Sequence, residues 1–284
     1  MSNTKEQIQF VFFGTNEFSV IALNELKQAG FISALVVTAT DKPKGRGMRL
    51  TPPLVKVWAE KNNIPYIQPE KLDAFFLRQM SNVKCQMFIV ASYGKILPKE
   101  ILKIPQYGTL NIHPSLLPFF RGPSPIHSQI LENTGMVGVS IMLMDEKVDH
   151  GPILAKQILE LPIADCQFEN LRDELAKLGG KLLAETIPEW VAGNIDAQEQ
   201  DHSKATYTKK IKKEDGLIQP YKDDHEKMYR KFLAFSSWPG VFFFKNRKRI
   251  KVTNATFENK EFVIKKVIME GKKEEDYSQI LQHS

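Results

Sequence analysis

The sequence predicts an α/β fold with an open, mainly parallel, Rossmann-like sheet, followed by a second, small, β-rich domain resembling an OB barrel. Short apolar runs alternate with helical patterns over the first two-thirds of the chain. After Gly193 the sequence becomes Lys-rich and its apolar segments shorten. Its 284 residues suffice for two domains, since a domain usually takes roughly 100–200 residues.

Apolar runs of strand length, bounded by turn residues, predict the strands of the first domain. Runs such as IQFVFFG and SALVVT are rich in β-branched and aromatic residues, as are the buried strands of parallel sheets. Pro114 ends the fourth run, because proline cannot donate to a strand ladder. The predicted strands are Ile8–Gly14, Ser33–Thr38, Cys85–Ala91, Thr109–His113 and Val137–Met144.

Apolar residues at helical spacing predict the helices between and after these strands. The Pro52–Pro53 pair marks the start of one helix, since proline is tolerated in the first helical turn. Gly179–Gly180 is expected to interrupt the longest helix weakly. The predicted helices are Glu17–Ala29, Leu54–Asn62, Ser124–Asn133 and Phe168–Val191.

The polar stretch from Asp196 to Ser203 predicts a linker between two domains. We therefore expect a first domain at residues 1–195, a linker at 196–204, and a short basic domain at 205–284. The strand-like segments of the second domain are Val241–Phe244, Arg249–Val252 and Glu261–Ile264.

Composition favours a folded protein of the cytoplasm. No apolar run approaches the roughly 18–20 residues of a membrane helix. The N-terminus MSNTKEQIQF lacks the basic start and apolar stretch of a signal peptide. Cys85 and Cys166 are the two cysteines, too few in a chain this long for a disulfide framework, which fits a reducing compartment.

The net charge of +6 is concentrated in the last third of the chain. Residues 201–284 hold 19 basic and 12 acidic side chains, whereas residues 1–200 carry a net charge of −1. Clustered Lys and Arg attract a phosphate backbone, but a solvated surface explains the same excess. Charge alone leaves both readings open.

The turns that follow the strands are the places to search for a site, because open parallel sheets bind ligands at the carboxyl ends of their strands. The turn at Gly14 lacks the G-x-G-x-x-G pattern, which disfavours a dinucleotide cofactor. The next turn holds four basic residues and no acidic one between Lys42 and Arg49. We expect a mobile surface loop there, suited to phosphate contact or simply solvated.

Asn111 and His113 close the fourth predicted strand, and residues two apart on a strand share a face. An amide donor beside an imidazole suits oxyanion stabilisation and proton transfer. Asp149 follows the next predicted strand and can orient the imidazole, although spacing alone does not establish that they meet.

These residues belong to a series of segments that resembles the folate-dependent formyltransferases. The segments similar to the family's signature are Asn111–Pro118, Arg121-Gly122, Gly138–Ile141 and Asp149–Gly151. Four more resemble the branch that acts on methionyl initiator tRNA, namely residues 40–50, Ala91–Pro98, Ala205–Ile211 and Ala234–Gly240. The resemblance spans almost the whole chain, although residues 205–284 are shorter than that branch's usual C-terminal domain.

The resemblance implies that Asn111, His113 and Asp149 are catalytic. The enzyme would pass the formyl group of 10-formyltetrahydrofolate to the α-amine of methionine on the initiator tRNA, in support of translation initiation. Asn111 and protonated His113 would donate to the oxyanion, while Asp149 fixes the imidazole. We expect no metal ion, no membrane contact and a monomeric protein.

The resemblance also implies two binding surfaces. Folate would lie against strand-end segments, with contacts from Phe88, Val90, Tyr93, Ser115, Leu116, Leu117, Pro118 and Met144. The tRNA would meet basic side chains, with Arg46 foremost, together with Lys42, Lys44, Arg49, Lys209, Lys210, Arg247 and Lys248. Trp238 is expected in the core of the second domain rather than as a platform for base stacking.

Several rival functions share parts of this pattern. Formyl transfer to glycinamide ribonucleotide or to a sugar nucleotide uses the same chemistry, and water could replace the amine. A non-catalytic RNA-binding protein needs none of Asn111, His113 and Asp149. A nicotinamide oxidoreductase is disfavoured by the turn at Gly14.

Overall fold

The computed structural model describes residues 8–45, 47–160 and 165–282. Contacts between Cα atoms divide the chain into two compact units. The first takes in the described residues of Met1–Pro123, Val137–Leu159 and Asp173–Tyr207, and the second those of Ser124–Met136, Glu160–Arg172 and Thr208–Ser284. Two segments that precede the C-terminal region in sequence thus group with it. The domain limits expected from the sequence stay a prediction.

Nine strands lie among the described residues of the first unit. They are β1 (Phe10–Gly14), β2 (Leu35–Val37), β3 (Lys42–Lys44), β4 (Arg49–Thr51), β5 (Tyr66–Ile67), β6 (Met87–Ala91), β7 (Thr109–His113), β8 (Val137–Leu143) and β9 (Ile153–Leu159). Seven form one sheet in the order β5-β2-β1-β6-β7-β8-β9. The first five run parallel, and β8 and β9 join antiparallel at one edge. The predicted open, mainly parallel sheet is confirmed.

Six helices complete the chain up to residue 191. They are α1 (Glu17–Gln28), α2 (Leu54–Lys61), α3 (Ala74–Ser81), α4 (Lys99–Leu102), α5 (Pro125–Leu131) and α6 (Phe168–Val191). Of these, α5 and the first turn of α6 belong to the second unit. Proline at the first position of α5 starts that helix one residue later than predicted, since its fixed φ suits the first helical turn.

The centre of the sheet is buried, since every residue of β1, β6 and β7 is buried and most of their side chains are apolar. Phe13 packs edge-on against Phe88 and Tyr93, with ring centroids 5.2 and 5.5 Å apart. The strand order reverses between β1 and β6, which makes their carboxyl ends the switch point where such sheets bind ligands. The Thr15 hydroxyl donates to the Tyr93 carbonyl at 3.1 Å and ties the two turns together there.

The glycine pair predicted to interrupt α6 does not do so, and the helix runs unbroken from Phe168 to Val191. A Cβ atom on Gly179 would lie 2.4 Å from the Ile112 Cγ2 atom, and one on Gly180 would lie 2.6 Å from the Glu25 Cβ atom. The pair therefore allows α6 to approach β7 and α1 closely. The prediction was wrong because helix propensity ignores what packs on the helix.

The basic segment predicted as a mobile loop forms a β-hairpin instead. Lys42–Lys44 pairs antiparallel with Arg49–Thr51, so that Pro43 faces Leu50. At its base, the Asp41 carboxylate accepts from Lys56 Nζ at 2.9 Å and from Gln68 Nε2 at 2.7 Å. These two bonds, Gln68 first, lower the pKa of Asp41 below its ordinary value. The prediction of a loop failed because each strand has only three residues, too few to give a strand pattern in the sequence.

The second unit contains four further strands and two further helices. These are α7 (His225–Ala234), β10 (Phe242–Lys245), β11 (Lys248–Glu258), β12 (Glu261–Met269), β13 (Glu274–Asp276) and α8 (Tyr277–Gln282). The strands pair antiparallel in chain order, which confirms the predicted small β-rich unit. Over the described ranges, no helix combines the length and the apolar character needed to cross a membrane.

His127 on α5 is largely buried within the second unit. Its ring stacks on Phe168 with centroids 4.1 Å apart and lies 6.0 Å from the ring of Phe235. Burial lowers the pKa of His127 from 6.5 to about 4, and the negative charge of Glu169 opposes this in part. The folded protein therefore holds this imidazole neutral at a pH where the unfolded chain protonates it.

We predict that His127 makes the protein less stable as the pH falls from about 7 towards 4, because the unfolded state then binds more protons than the folded state. The free energy of unfolding should drop by about 2 kcal/mol at pH 5 from this group alone. In His127→Phe, which keeps an aromatic ring against Phe168, that part of the pH dependence should vanish. Denaturant titrations of both proteins at pH 5 and pH 8 measure how far the free energy of unfolding falls with pH. An equal fall in the unaltered protein and in His127→Phe would contradict the prediction.

Candidate active site

The end of β7 presents an amide and an imidazole on one face. β7 is hydrogen-bonded to β6 on one side and β8 on the other, so its position is fixed. Asn111 and His113 are both buried, with exposed fractions of 8% and 4%. Ile112 points to the opposite face, where it meets Gly179 of α6.

Asp149 completes the cluster from the loop between β8 and β9. Its Oδ1 atom lies 3.4 Å from Asn111 Nδ2 and 3.5 Å from His113 Nδ1. Its Oδ2 atom accepts a hydrogen bond of 2.7 Å from the backbone N–H of Gly122. The structure thus brings together the three side chains that sequence spacing could not connect, and one carboxylate oxygen faces both partners.

The His113 ring is held at both nitrogens. Nε2 lies 3.0 Å from the Phe120 carbonyl, and since a carbonyl oxygen only accepts, Nε2 carries the hydrogen of that bond. Phe120 has a φ of +59°, and its N–H donates to the Thr206 hydroxyl at 2.8 Å. With Nδ1 turned to Asp149, the ring orientation is set by two chain segments.

The loop that carries Asp149 closes tightly at Gly151. A Cβ atom there would lie 2.0 Å from the Leu143 carbonyl oxygen, a distance that no side chain tolerates. Within the loop, His150 Nδ1 and Asp145 Oδ2 are 2.6 Å apart, and Glu146 forms an ion pair with Lys99 of α4. Only glycine fits at position 151, and this explains the last residue of the Asp-His-Gly segment.

Two buried side chains beside the cluster were not predicted as functional. Arg121 is 1% exposed and Gln200 is 5% exposed. Arg121 donates to Gln200 Oε1 from Nε at 3.2 Å and from Nη2 at 2.7 Å. Gln200 in turn donates to the backbone carbonyls of Asp149 and Gly151. Arg121 stood in a segment noted for its resemblance, whereas Gln200 lies in a polar stretch that gave no signal.

Two family models match the chain along most of its length. The model described as "Formyl transferase" matches residues 7–187, and "Formyl transferase, C-terminal domain" matches residues 210–283. The chain belongs to the formyl transferase family. The resemblance noted from the sequence is confirmed.

Relatives within the family are similar over most of both chains. A methionyl-tRNA formyltransferase of Chloroflexus aurantiacus is 41% identical over 87% of this chain and 80% of that relative. One of a Geobacillus species is 44% identical, over 83% of this chain and 74% of the relative.

Two solved structures share the fold. A methionyl-tRNA formyltransferase from Clostridium thermocellum has a TM-score of 0.62 at 19% identity, covering 92% of this chain and 98% of that one. An N-formyltransferase from Helicobacter canadensis, solved with folinic acid and dTDP-3-aminofucose, has a TM-score of 0.65 at 18% identity, covering 88% and 89%.

The residues predicted to contact folate fall into two groups. Phe88, Val90, Tyr93 and Met144 pack in one hydrophobic cluster under the switch point. The first three are buried, so their side chains fill the core of this formyl transferase more than they line its surface. The Tyr93 hydroxyl is a buried polar group without a hydrogen-bond partner among the described residues, and burial raises its pKa to about 12.

The second group lies in the turn after β7 and binds to β8 instead. The Ser140 hydroxyl donates to the Ser115 carbonyl at 2.8 Å and accepts from the Leu117 N–H at 3.0 Å. Leu117 packs in a separate small cluster with Met142 and Ile153. Leu116 and Pro118, in the same turn, are partly exposed. All eight folate contacts stay predictions.

The described residues predicted to contact tRNA are all exposed. Lys42, Lys44 and Arg49 lie on the β3–β4 hairpin of the first unit. Lys209 and Lys210 lie near the start of the C-terminal part of the second unit, and Arg247 and Lys248 lie at the turn between β10 and β11. Arg46, the residue placed foremost, lies outside the described residues.

Two further expectations concern Trp238 and metals. Trp238 is 53% exposed, so the expectation that it belongs to the core was wrong. Trp238 lies in the turn between α7 and β10, which leaves its ring at the surface. In the described part of the chain, no group of three or more His, Cys, Asp and Glu side chains is arranged to hold a metal ion.

We predict that Gly151→Ala destabilises the protein by about 1–3 kcal/mol, because the added methyl group overlaps the Leu143 carbonyl and forces the loop apart. Gly135→Ala is the matched control, since its Cβ would meet no described atom within 4 Å. Chemical denaturation of both variants measures the effect. Equal midpoints for the two would contradict the tight closure of the loop.

Proposed function

We propose that the protein transfers the formyl group of 10-formyltetrahydrofolate to the α-amino group of methionyl initiator tRNA, in the cytoplasm and in support of translation initiation. The observation that carries the proposal is the meeting of Asn111, His113 and Asp149 at the end of β7 in a formyl transferase. Supporting it, relatives 41–44% identical over most of both chains are named methionyl-tRNA formyltransferases.

The proposed reaction forms one bond and breaks another. The neutral α-amine attacks the formyl carbon, a C–N bond forms, and the carbonyl oxygen becomes an oxyanion. Collapse of the intermediate breaks the bond to N10 of the folate, which leaves with a proton as tetrahydrofolate. The site must therefore stabilise an oxyanion and accept the proton that the amine loses.

Each cluster residue fits one of these tasks. Asn111 keeps a second N–H beyond the one that faces Asp149, and this hydrogen is our first choice as donor to the oxyanion. His113 Nε2–H can be shared between the Phe120 carbonyl and the same oxygen. Asp149 is the acceptor for the amine proton, directly or through a water molecule, because its Oδ1 faces the site.

The reversal of strand order between β1 and β6 supports a folate site beside the cluster, since open parallel sheets bind ligands at such a point. The exposed basic hairpin and the basic C-terminal region support tRNA as the acceptor. A small amine would require neither.

The deciding experiment incubates the protein with 10-formyltetrahydrofolate and methionyl initiator tRNA and measures formylmethionyl-tRNA by acid gel or mass spectrometry. Parallel reactions contain glycinamide ribonucleotide, an amino-sugar nucleotide, or no acceptor at all. We expect formylation of the tRNA. Transfer only to a small amine, or release of formate without an acceptor, would assign a rival function.

We predict that Asn111→Ala and His113→Ala each lower kcat by about 10²–10³, because removing one oxyanion donor typically costs that much. Thermal unfolding should stay close to that of the unaltered protein, so that loss of fold does not explain the loss of rate. The measurement is kcat for formylmethionyl-tRNA. A near-normal kcat in either variant would overturn its catalytic assignment.

We further predict that a triple variant, Lys42→Ala with Lys44→Ala and Arg49→Ala, binds tRNA at least tenfold more weakly and with a shallower salt dependence, because each lost phosphate contact reduces the slope by about one. Lys61→Ala with Lys71→Ala and Lys84→Ala removes the same charge from other exposed positions of the first unit. Filter binding between about 50 and 200 mM salt compares them. If both variants weaken tRNA binding equally, the hairpin contributes only to the overall charge of the protein, and the prediction is contradicted.

A further inference from the structure

The chain segment from residue 198 to 207 runs alongside the loop that carries Asp149. Gln198 exchanges two backbone hydrogen bonds with Ile153, at 2.8 and 2.9 Å, and so fixes the segment next to β9. Two residues later the side chain of Gln200 turns inward and is 5% exposed. Its Nε2 atom donates to the Asp149 carbonyl at 3.0 Å and to the Gly151 carbonyl at 2.7 Å.

The orientation of the Gln200 amide is imposed by Arg121. A guanidinium only donates, and two of its N–H groups converge on Gln200 Oε1 at 3.2 and 2.7 Å. A flipped amide would turn its NH₂ group towards the guanidinium and its oxygen towards two carbonyls. Charge-assisted hydrogen bonds of this kind are among the strongest in proteins, so the NH₂ group faces the Asp149 loop.

Asp149 is held at both ends of the residue. Its φ of +49° lies in the left-handed region, which Asp tolerates better than most residues other than glycine. The Gln200 side chain donates to the backbone carbonyl of Asp149. The backbone N–H of Gly122, the residue after Arg121, donates to the Asp149 carboxylate at 2.7 Å. With both ends fixed, Oδ1 faces Asn111 and His113.

We propose that Gln200 is a positioning residue for formyl transfer, which sets Asp149 through its backbone carbonyl and is itself aligned by the buried guanidinium of Arg121. The inference rests on the proposed function in one respect, namely that Asp149 serves the reaction. The placement of Asp149 is a separate matter, which can be observed without turnover.

Two substitutions of Gln200 separate its two contacts. Gln200→Met is close in shape and removes every hydrogen bond of the side chain. Gln200→Glu keeps an acceptor for Arg121, which protects the fold, but sets a carboxylate oxygen against the carbonyls of Asp149 and Gly151. Gln198→Met and Gln198→Glu are the matched controls, since that side chain is exposed and only its backbone pairs with Ile153 in the contacts above.

We expect kcat to fall at least tenfold in both Gln200 variants, while KM for folate and for tRNA changes less than threefold. Both Gln198 variants should keep the kcat of the unaltered protein. In an Asp149→Asn background, Gln200→Met should cost less than a further twofold, because a residue that acts through Asp149 has nothing left to position. The proposal would be overturned if Gln200→Met lowered kcat by the same factor in the Asp149→Asn background as in the unaltered protein. It would also be overturned if Gln200→Met alone kept kcat within twofold of the unaltered protein.

Crystal structures of the variants give the readout that needs no turnover. In Gln200→Met the hydrogen bond from the Gly122 N–H to Asp149 Oδ2 should be lost or lengthened beyond 3.5 Å, whereas in Gln198→Met it should stay. An unmoved Asp149 in Gln200→Met would refute the positioning role whatever the activity. An unaltered protein that fails to formylate methionyl-tRNA would refute the proposed function and leave this structural result to decide on Gln200.

Discussion

The carboxylate of Asp149 is the group on which the arrangement of the site depends. One oxygen accepts from the backbone of Gly122, and the other faces the amide of Asn111 and the imidazole of His113. These contacts hold three segments in one fixed arrangement, namely the end of β7, the turn after β7 and the loop after β8. The tight closure at Gly151 and the left-handed backbone of Asp149 are local costs of that geometry, and several independent hydrogen bonds offset them.

Burying a guanidinium beside the site adds a second constraint. A charged group inside a protein is costly unless its donors are satisfied, and Arg121 donates to Gln200, to the Tyr207 hydroxyl at 3.3 Å and to His202 Nδ1 at 2.9 Å. All three partners come from the polar stretch at residues 200–207. That stretch therefore belongs to the framework around the cluster of Asn111, His113 and Asp149, because releasing it would leave a buried charge without partners.

The exposed basic residues interact over a different range from the buried cluster. The cluster is shielded and depends on short contacts, whereas the basic hairpin and the basic C-terminal region are exposed and act over distances set by ionic strength. Strand pairing gives the hairpin a regular structure, and Lys56 and Gln68 donate to Asp41 at its base. The cluster and the hairpin therefore differ in burial and in the range of their interactions.

The sequence by itself determined the parallel sheet, the family, and Asn111, His113 and Asp149 as the residues to examine, because buried strands and strand-end motifs are written in consecutive residues. Only the tertiary structure decided that these three meet, that Gly179 is a close contact with Ile112 rather than a break, and that Lys42–Thr51 is a hairpin. Gln200 lies 51 residues from Asp149, and Arg121 lies 79 residues from Gln200. Contacts at such separations leave no periodicity in the chain, since folding alone brings the partners together.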